Sequence, residues 1–123
     1  MAIGIKYSTG PVENAIRLDT LPGLSRVVFA KVLNNGSRRT TVTVRLFRLN
    51  GAKVLVDSRT LTLNPGSSSV VDLVVADLFQ FEVQFIVRNK NVLVSAWGKN
   101  RNGVPVAVHR FTQQELNKTF IDL

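Results

Sequence analysis

The sequence predicts an all-β protein, an antiparallel two-layer sandwich of about seven to nine strands in a jelly-roll or Ig-like arrangement. Two observations predict this class: short runs rich in Val, Thr, Leu and Phe recur along the chain, and turns containing Asn separate them. Asn and Gly tolerate positive φ, so such turns favour tight connections between antiparallel strands. The turns are Asn34-Asn35-Gly36, Asn50-Gly51, Asn64-Pro65-Gly66, Asn89-Lys90-Asn91 and Asn102-Gly103.

The chain divides into an extended N-terminal arm, residues 1–24, and a sandwich domain, residues 25–123. The first segment contains Gly4, Gly10-Pro11 and Pro22-Gly23 between short apolar stretches, but no hairpin turn. We expect an arm with room for one strand. Such an arm packs either on its own domain or on a neighbouring subunit.

Seven runs within the domain are expected strands, and some of them alternate strictly between two faces. In 80–88 every second residue, from Phe81 to Val87, faces inward, while Glu82, Gln84, Ile86 and Arg88 face outward. In 53–63 the apolar phase shifts near Asp57-Ser58, which indicates a bulge. The expected strands are 26–33, 40–48, 53–63, 67–75, 80–88, 92–98 and 104–110.

The C-terminal end has a different pattern. Thr112 followed by Glu115 resembles a capping box, which predicts one short helical turn. Residues 119–123 could form a further strand, and their apolar side chains are unfavourable to expose. They pack either on the protein's own core or on a neighbouring subunit.

The charge balance favours anionic partners. The chain carries 16 Lys and Arg against 8 Asp and Glu, a formal net charge of +8. Such a surface attracts nucleic acid and acidic glycans. The basic residues are scattered, and Arg38-Arg39 is the only adjacent pair. The candidate anion contacts are Arg38, Arg39, Arg45, Arg48, Lys99 and Arg101.

Aromatic residues suggest where such a partner could stack. Arg45, Arg48, Phe47 and Tyr7 could form a basic, aromatic platform for nucleic acid. Trp97 is the sole Trp, and it could either stack on a sugar or base or pack within the fold.

No pattern of catalytic or metal-binding residues is present, so we expect a non-enzymatic protein without a cofactor. The chain has no Cys, which excludes disulfides, thiolate catalysis and Cys-based metal sites. His109 is the only His, and alternation places it on the face opposite Val106 and Val108. The carboxylates form no local cluster, and no Gly-rich phosphate loop occurs.

The sequence also bears on location. No apolar run approaches the roughly 20 residues of a membrane helix. The start of the chain lacks the charged and apolar regions of a signal peptide. We expect cytoplasmic synthesis, no membrane span, and a location outside the cell or on a spore or cell surface.

Two resemblances bear on function. Residues 28–37 followed by 41–45 look like the strand, Asn-Asn-Gly, strand opening of bacterial Ig-like adhesion modules, which are usually spacers in surface proteins. The whole layout, above all residues 41–85, resembles the jelly-roll subunits of bacterial endospore appendages. That resemblance implies fibres linked by strand complementation. This chain departs from that family because it lacks the N-terminal Cys residues that cross-link such subunits.

The expected function is therefore that of a structural protein that self-assembles as a fibre or surface-appendage subunit, by exchange of strand or arm between neighbours. The alternatives are a basic module that binds an anionic polymer, and a viral capsid or tail protein. The expected assembly contacts lie in the arm and the C-terminal tail. They are Ile3, Ile5, Tyr7, Val12, Ile16, Leu18, Phe120, Ile121 and Leu123.

Overall fold

Two antiparallel sheets pack face to face in this protein. The structure is a computed structural model, and it describes residues 2–15 and 24–123. The predicted all-β sandwich is thereby confirmed. The strands are β1 (Ile3–Ser8), β2 (Val12–Glu13), β3 (Val27–Asn34), β4 (Thr40–Asn50), β5 (Ala52–Leu63), β6 (Ser68–Val74), β7 (Gln80–Val87), β8 (Val92–Lys99), β9 (Pro105–Phe111) and β10 (Asn117–Asp122).

The two sheets differ in size. The larger has six strands in the order β10-β1-β7-β4-β5, with β2 also paired to β7. The smaller has four, in the order β6-β3-β8-β9. Three pairs of consecutive strands, β1–β2, β4–β5 and β8–β9, stay within one sheet, and the other connections cross between the two layers.

The core lies between the sheets and consists mainly of Val, Leu and Phe from alternate positions of each strand. Phe81 and Phe85 of β7 are fully buried, and they pack with Leu46 of β4 and Leu73 of β6. Full burial of one such side chain contributes about 1.5–3 kcal/mol. The strict alternation read from the sequence therefore reports the inward face correctly.

The prediction of an extended N-terminal arm is wrong for residues 2–15, which are part of the sandwich. β1 lies inside the larger sheet, paired with β10 on one side and β7 on the other. Its inward residues Ile5 and Tyr7 belong to the core, as does Val12 of β2. The predicted boundary at residue 24 therefore does not separate residues 2–15 from the domain. The physical reason is that this segment carries the same two-residue apolar period as the other strands.

The predicted turns are confirmed at glycine but not at Asn. Among the described residues only glycines have positive φ: Gly51, Gly66 and Gly103 in three of the predicted turns, and Gly10. Asn contributes through its side chain instead. The buried Asn34 accepts a hydrogen bond from the backbone N–H of Gly36 through Oδ1, at 3.0 Å, and donates from Nδ2 to two carbonyls. These contacts close the turn as an Asx turn does.

Two local features match the sequence. The β4–β5 register shifts where Leu46 pairs with Asp57 but Phe47 pairs with Leu55, which is the predicted bulge. After β9, residues Gln113–Glu115 form one turn of 3-10 helix, and the Thr112 hydroxyl donates to the Glu115 carboxylate at 2.7 Å.

Candidate functional site

The outer face of the four-stranded sheet carries a partly exposed group of two aromatic residues and two lysines: Phe29, Lys31, Trp97 and Lys99. We call this group the aromatic–lysine face. Strand alternation places it there, because the residues between them in β3 and β8 face the core.

Strand register places the two aromatic residues side by side on neighbouring strands. Phe29 of β3 and Trp97 of β8 are direct cross-strand partners. The Lys99 ammonium lies 4.2 Å from the centre of the Phe29 ring, a cation–π distance. The Trp97 indole N–H donates to the Ser95 hydroxyl at 2.8 Å, which fixes the ring against the sheet. The rings are therefore positioned before any partner arrives.

Two adjoining concavities are lined by residues of this group other than Trp97. The larger, of about 670 Å³, runs along the sheet face past Leu33, Val70 and Leu93. The smaller, of about 310 Å³, lies between Arg26 and Arg101. Phe29 and Lys99 line both, so they form the ridge between the two grooves. The surface is an open, mainly apolar groove with cationic ends.

The predicted anion contacts are only partly brought together. Lys99 and Arg101 line the same groove. Arg38 and Arg39 lie exposed in the loop after β3. The other two, Arg45 and Arg48, are on β4 in the opposite sheet.

The predicted platform of Arg45, Arg48, Phe47 and Tyr7 does not form, because Tyr7 is buried in the core and cannot join the other three residues on an exposed face. Sequence reasoning missed Phe29 and Lys31. The alternation of β3 could have placed both outward, but only the register shows that Phe29 meets Trp97.

A second exposed surface lies at one end of the larger sheet. β10 is an end strand of the larger sheet, and its exposed core-side residue Phe120 indicates that the smaller sheet does not extend over it. On this overhang Ile3 and Phe120 are on the core-side face of β1 and β10, yet they are 63% and 68% exposed. We call this pair the overhang.

The remaining predicted assembly residues have different positions. Ile121 is half-buried, and Leu123 is partly exposed where its side chain packs over Gly4. Ile16 and Leu18 fall outside the described residues. The core positions of Ile5, Tyr7 and Val12, given above, remove these three from any subunit contact in this fold.

His109 is buried in a junction that the sequence did not reveal. It is on the face predicted, opposite Val106 and Val108. Its Nδ1 lies 2.6 Å from the Ser25 hydroxyl and its Nε2 lies 2.8 Å from the Glu13 carbonyl oxygen. Both side chains are almost fully buried, so this Ser–His pair joins β9 to the N-terminal segment rather than facing a substrate.

A buried carboxylate lies in β7 of the larger sheet. Glu82 of β7 accepts hydrogen bonds from Ser8 at 2.5 Å and Gln84 at 3.0 Å, and it pairs with Lys53 at 2.8 Å. Burial raises the pKa of Glu82, but these hydrogen bonds and the Lys53 charge together lower it below its usual range. The residue faces outward as predicted, yet its neighbours cover it.

Residues 2–15 and 24–123 contain no group of three or more His, Cys, Asp or Glu placed to hold a metal ion. The described part of the chain also has no helix with the length and apolar character needed to cross a membrane.

Comparisons with known proteins add little. No family model and no curated protein matches the sequence. Among solved structures, the chain is similar to Thermotoga maritima 1070, at 13% identity over 94% of this chain and 90% of that chain, with a TM-score of 0.49. A likeness of this strength carries no argument about function.

Proposed function

We propose that this protein is a non-enzymatic structural subunit that self-assembles through the overhang end of its larger sheet. Ile3 and Phe120 carry the proposal, because they lie on a core-side face that the smaller sheet does not cover. A second subunit seated there would complete the sandwich for both side chains.

The strand edge beside the overhang supports the same interface. Among the described residues, no strand pairs with the outer side of β10 or of β5, the two ends of the larger sheet. Unpaired strand edges are templates for further pairing. β5 adds three consecutive exposed apolar residues, Val54, Leu55 and Val56.

Strand direction decides what kind of assembly these edges allow. Four successive antiparallel pairings connect β10 to β5, so these two edge strands run parallel to each other. A junction of β10 on one subunit with β5 on the next is heterologous and propagates or closes as a ring. A junction of β10 with a second β10 is two-fold and stops at a dimer.

This interface replaces the free arm of the sequence-based hypothesis. Residues 3–8 already pair within their own sheet, so deleting residues 1–20 would remove β1, β2 and three core side chains. Such a deletion tests folding rather than assembly. The overhang offers a test that leaves the core intact.

The test is the double substitution Ile3→Gln with Phe120→Gln. Each apolar side chain contributes up to about 1.5–3 kcal/mol when fully buried, so association should weaken at least tenfold. Static light scattering over a concentration series and electron microscopy measure this. We expect the wild-type protein to grow in mass with concentration and the double variant to remain smaller.

Val74→Gln with Val108→Gln is the matched control, because these residues are 68% and 69% exposed but belong to the smaller sheet. Circular dichroism verifies that every variant folds. Wild-type protein that stays monomeric at high concentration contradicts the proposal, and so does a folded overhang variant that assembles like wild type.

A further inference from the structure

We propose that the aromatic–lysine face binds single-stranded nucleic acid, with bases stacked on Phe29 and Trp97 and phosphates near Lys31, Lys99 and Arg101. The proposal concerns the smaller sheet, and it holds whether or not the overhang mediates assembly.

The cross-strand position of Phe29 and Trp97 suits stacked bases. Cross-strand partners in one sheet present their side chains side by side, roughly one strand spacing apart. Phe29 and Trp97 hold this arrangement on a partly exposed face. Paired aromatic side chains on an open sheet offer successive stacking positions for unpaired bases.

The aromatic–lysine face is also strongly basic. Lys31, Lys99 and Arg110 lie on this outer face, and Arg26 and Arg101 border its smaller groove. Asp72, the partner of Phe29 on β6, is the one carboxylate that the described strands place on this face. The ratio of basic to acidic side chains is therefore higher on this face than in the chain as a whole. Such a positive face complements a phosphate backbone.

The lining of the larger groove favours unpaired bases over a duplex. The larger groove is bordered by Leu33, Val70 and Leu93, which match the flat apolar face of a base. A duplex keeps its bases stacked internally and cannot present those faces. An acidic glycan offers no flat aromatic face to these residues, and the hydroxyls of Ser68, Ser69 and Ser95, which also line the groove, are hydrogen-bond partners for either polymer.

Trp97 makes the test direct because it is the only Trp in the chain. Its fluorescence is followed during titration with a 20-mer of oligo(dT) at about 50 mM salt. We expect quenching, and binding that weakens steeply as salt rises. Phe29→Leu keeps the reporter and should weaken binding about tenfold, the scale of one lost stacking contact.

A pair of charge variants provides the control. Lys31→Gln removes an exposed charge from the face, and Arg48→Gln removes one from the opposite sheet. We expect Lys31→Gln to weaken binding and to lower the salt dependence by about one counterion, whereas Arg48→Gln should change both much less.

Three results would overturn the proposal. The first is the absence of quenching at about 50 mM salt. The second is equal affinity for duplex DNA, hyaluronate or polyglutamate, which would mean charge attraction or glycan binding. The third is unchanged binding by Phe29→Leu. Ile3→Gln with Phe120→Gln should bind oligo(dT) like wild type, which separates this site from the assembly surface.

Discussion

At the scale of single residues, Gly98 marks where β8 passes closest to another element. A Cβ added there would lie 2.6 Å from the His109 Cβ and closer still to the Ser25 hydroxyl. Only glycine lets the Ser25–His109 hydrogen bond form directly against the strand. The requirement is one of space, since the φ of Gly98 is not positive.

Gly98→Ala should therefore lower the free energy of unfolding by about 1–3 kcal/mol, the usual cost of overpacking a core. Urea unfolding measures this change. Gly36→Ala is the control, because the nearest atoms to its added Cβ are at 3.3 Å and it should cost less. Equal stability of Gly98→Ala and wild type would contradict the close packing of Ser25 and His109 against Gly98.

Glu82 links stability to pH at the same scale. Its pKa is lowered in the folded protein, so its ionised form stabilises the fold at a pH above the unfolded value of about 4.3. That contribution is lost as the pH falls through the lower, folded pKa. The charged hydrogen bond from Lys53 is the largest cause of the lowered pKa, followed by the buried hydrogen bonds from Ser8 and Gln84.

Glu82→Gln should flatten part of this dependence. We expect the free energy of unfolding to fall more between about pH 5 and pH 3 in wild type than in the variant. Denaturant unfolding at several pH values measures the difference. Asp72→Asn removes one exposed carboxylate as a control. Parallel pH curves for wild type and Glu82→Gln would contradict the assigned role.

At the scale of elements, the sequence predicts strands well and their partners poorly. Alternation and turns locate the strands from β3 to β9, and the shifted phase near Asp57 locates a bulge. β1 is different, because Gly4 and Gly10-Pro11 resemble the punctuation of an arm. Its place between β7 and β10 depends on a pairing more than seventy residues away in the chain.

The same limit applies to the candidate sites. Phe29 and Trp97 are each readable as outward residues of their own strands, but no local pattern shows that they meet. His109 and Ser25 are likewise 84 residues apart. Sites built from cross-strand contacts require the register of the sheets, and the register follows from the packing of the whole core.

At the scale of the whole molecule, the unequal sheets explain where exposed apolar surface remains. The larger sheet ends at β10, and Phe120 on the core-side face of this end strand remains exposed. The smaller sheet has its own open face, with Phe29 and Trp97. The two proposed activities therefore use separate surfaces and can be tested independently.

The central claim is that subunits meet at β10, and amide hydrogen exchange tests it most directly. Exchange is compared at low and high protein concentration, strand by strand, by mass spectrometry. We predict that β10 becomes protected at high concentration, while β9, an edge strand of the smaller sheet, does not change. Exchange in β10 that is independent of concentration would contradict the claim.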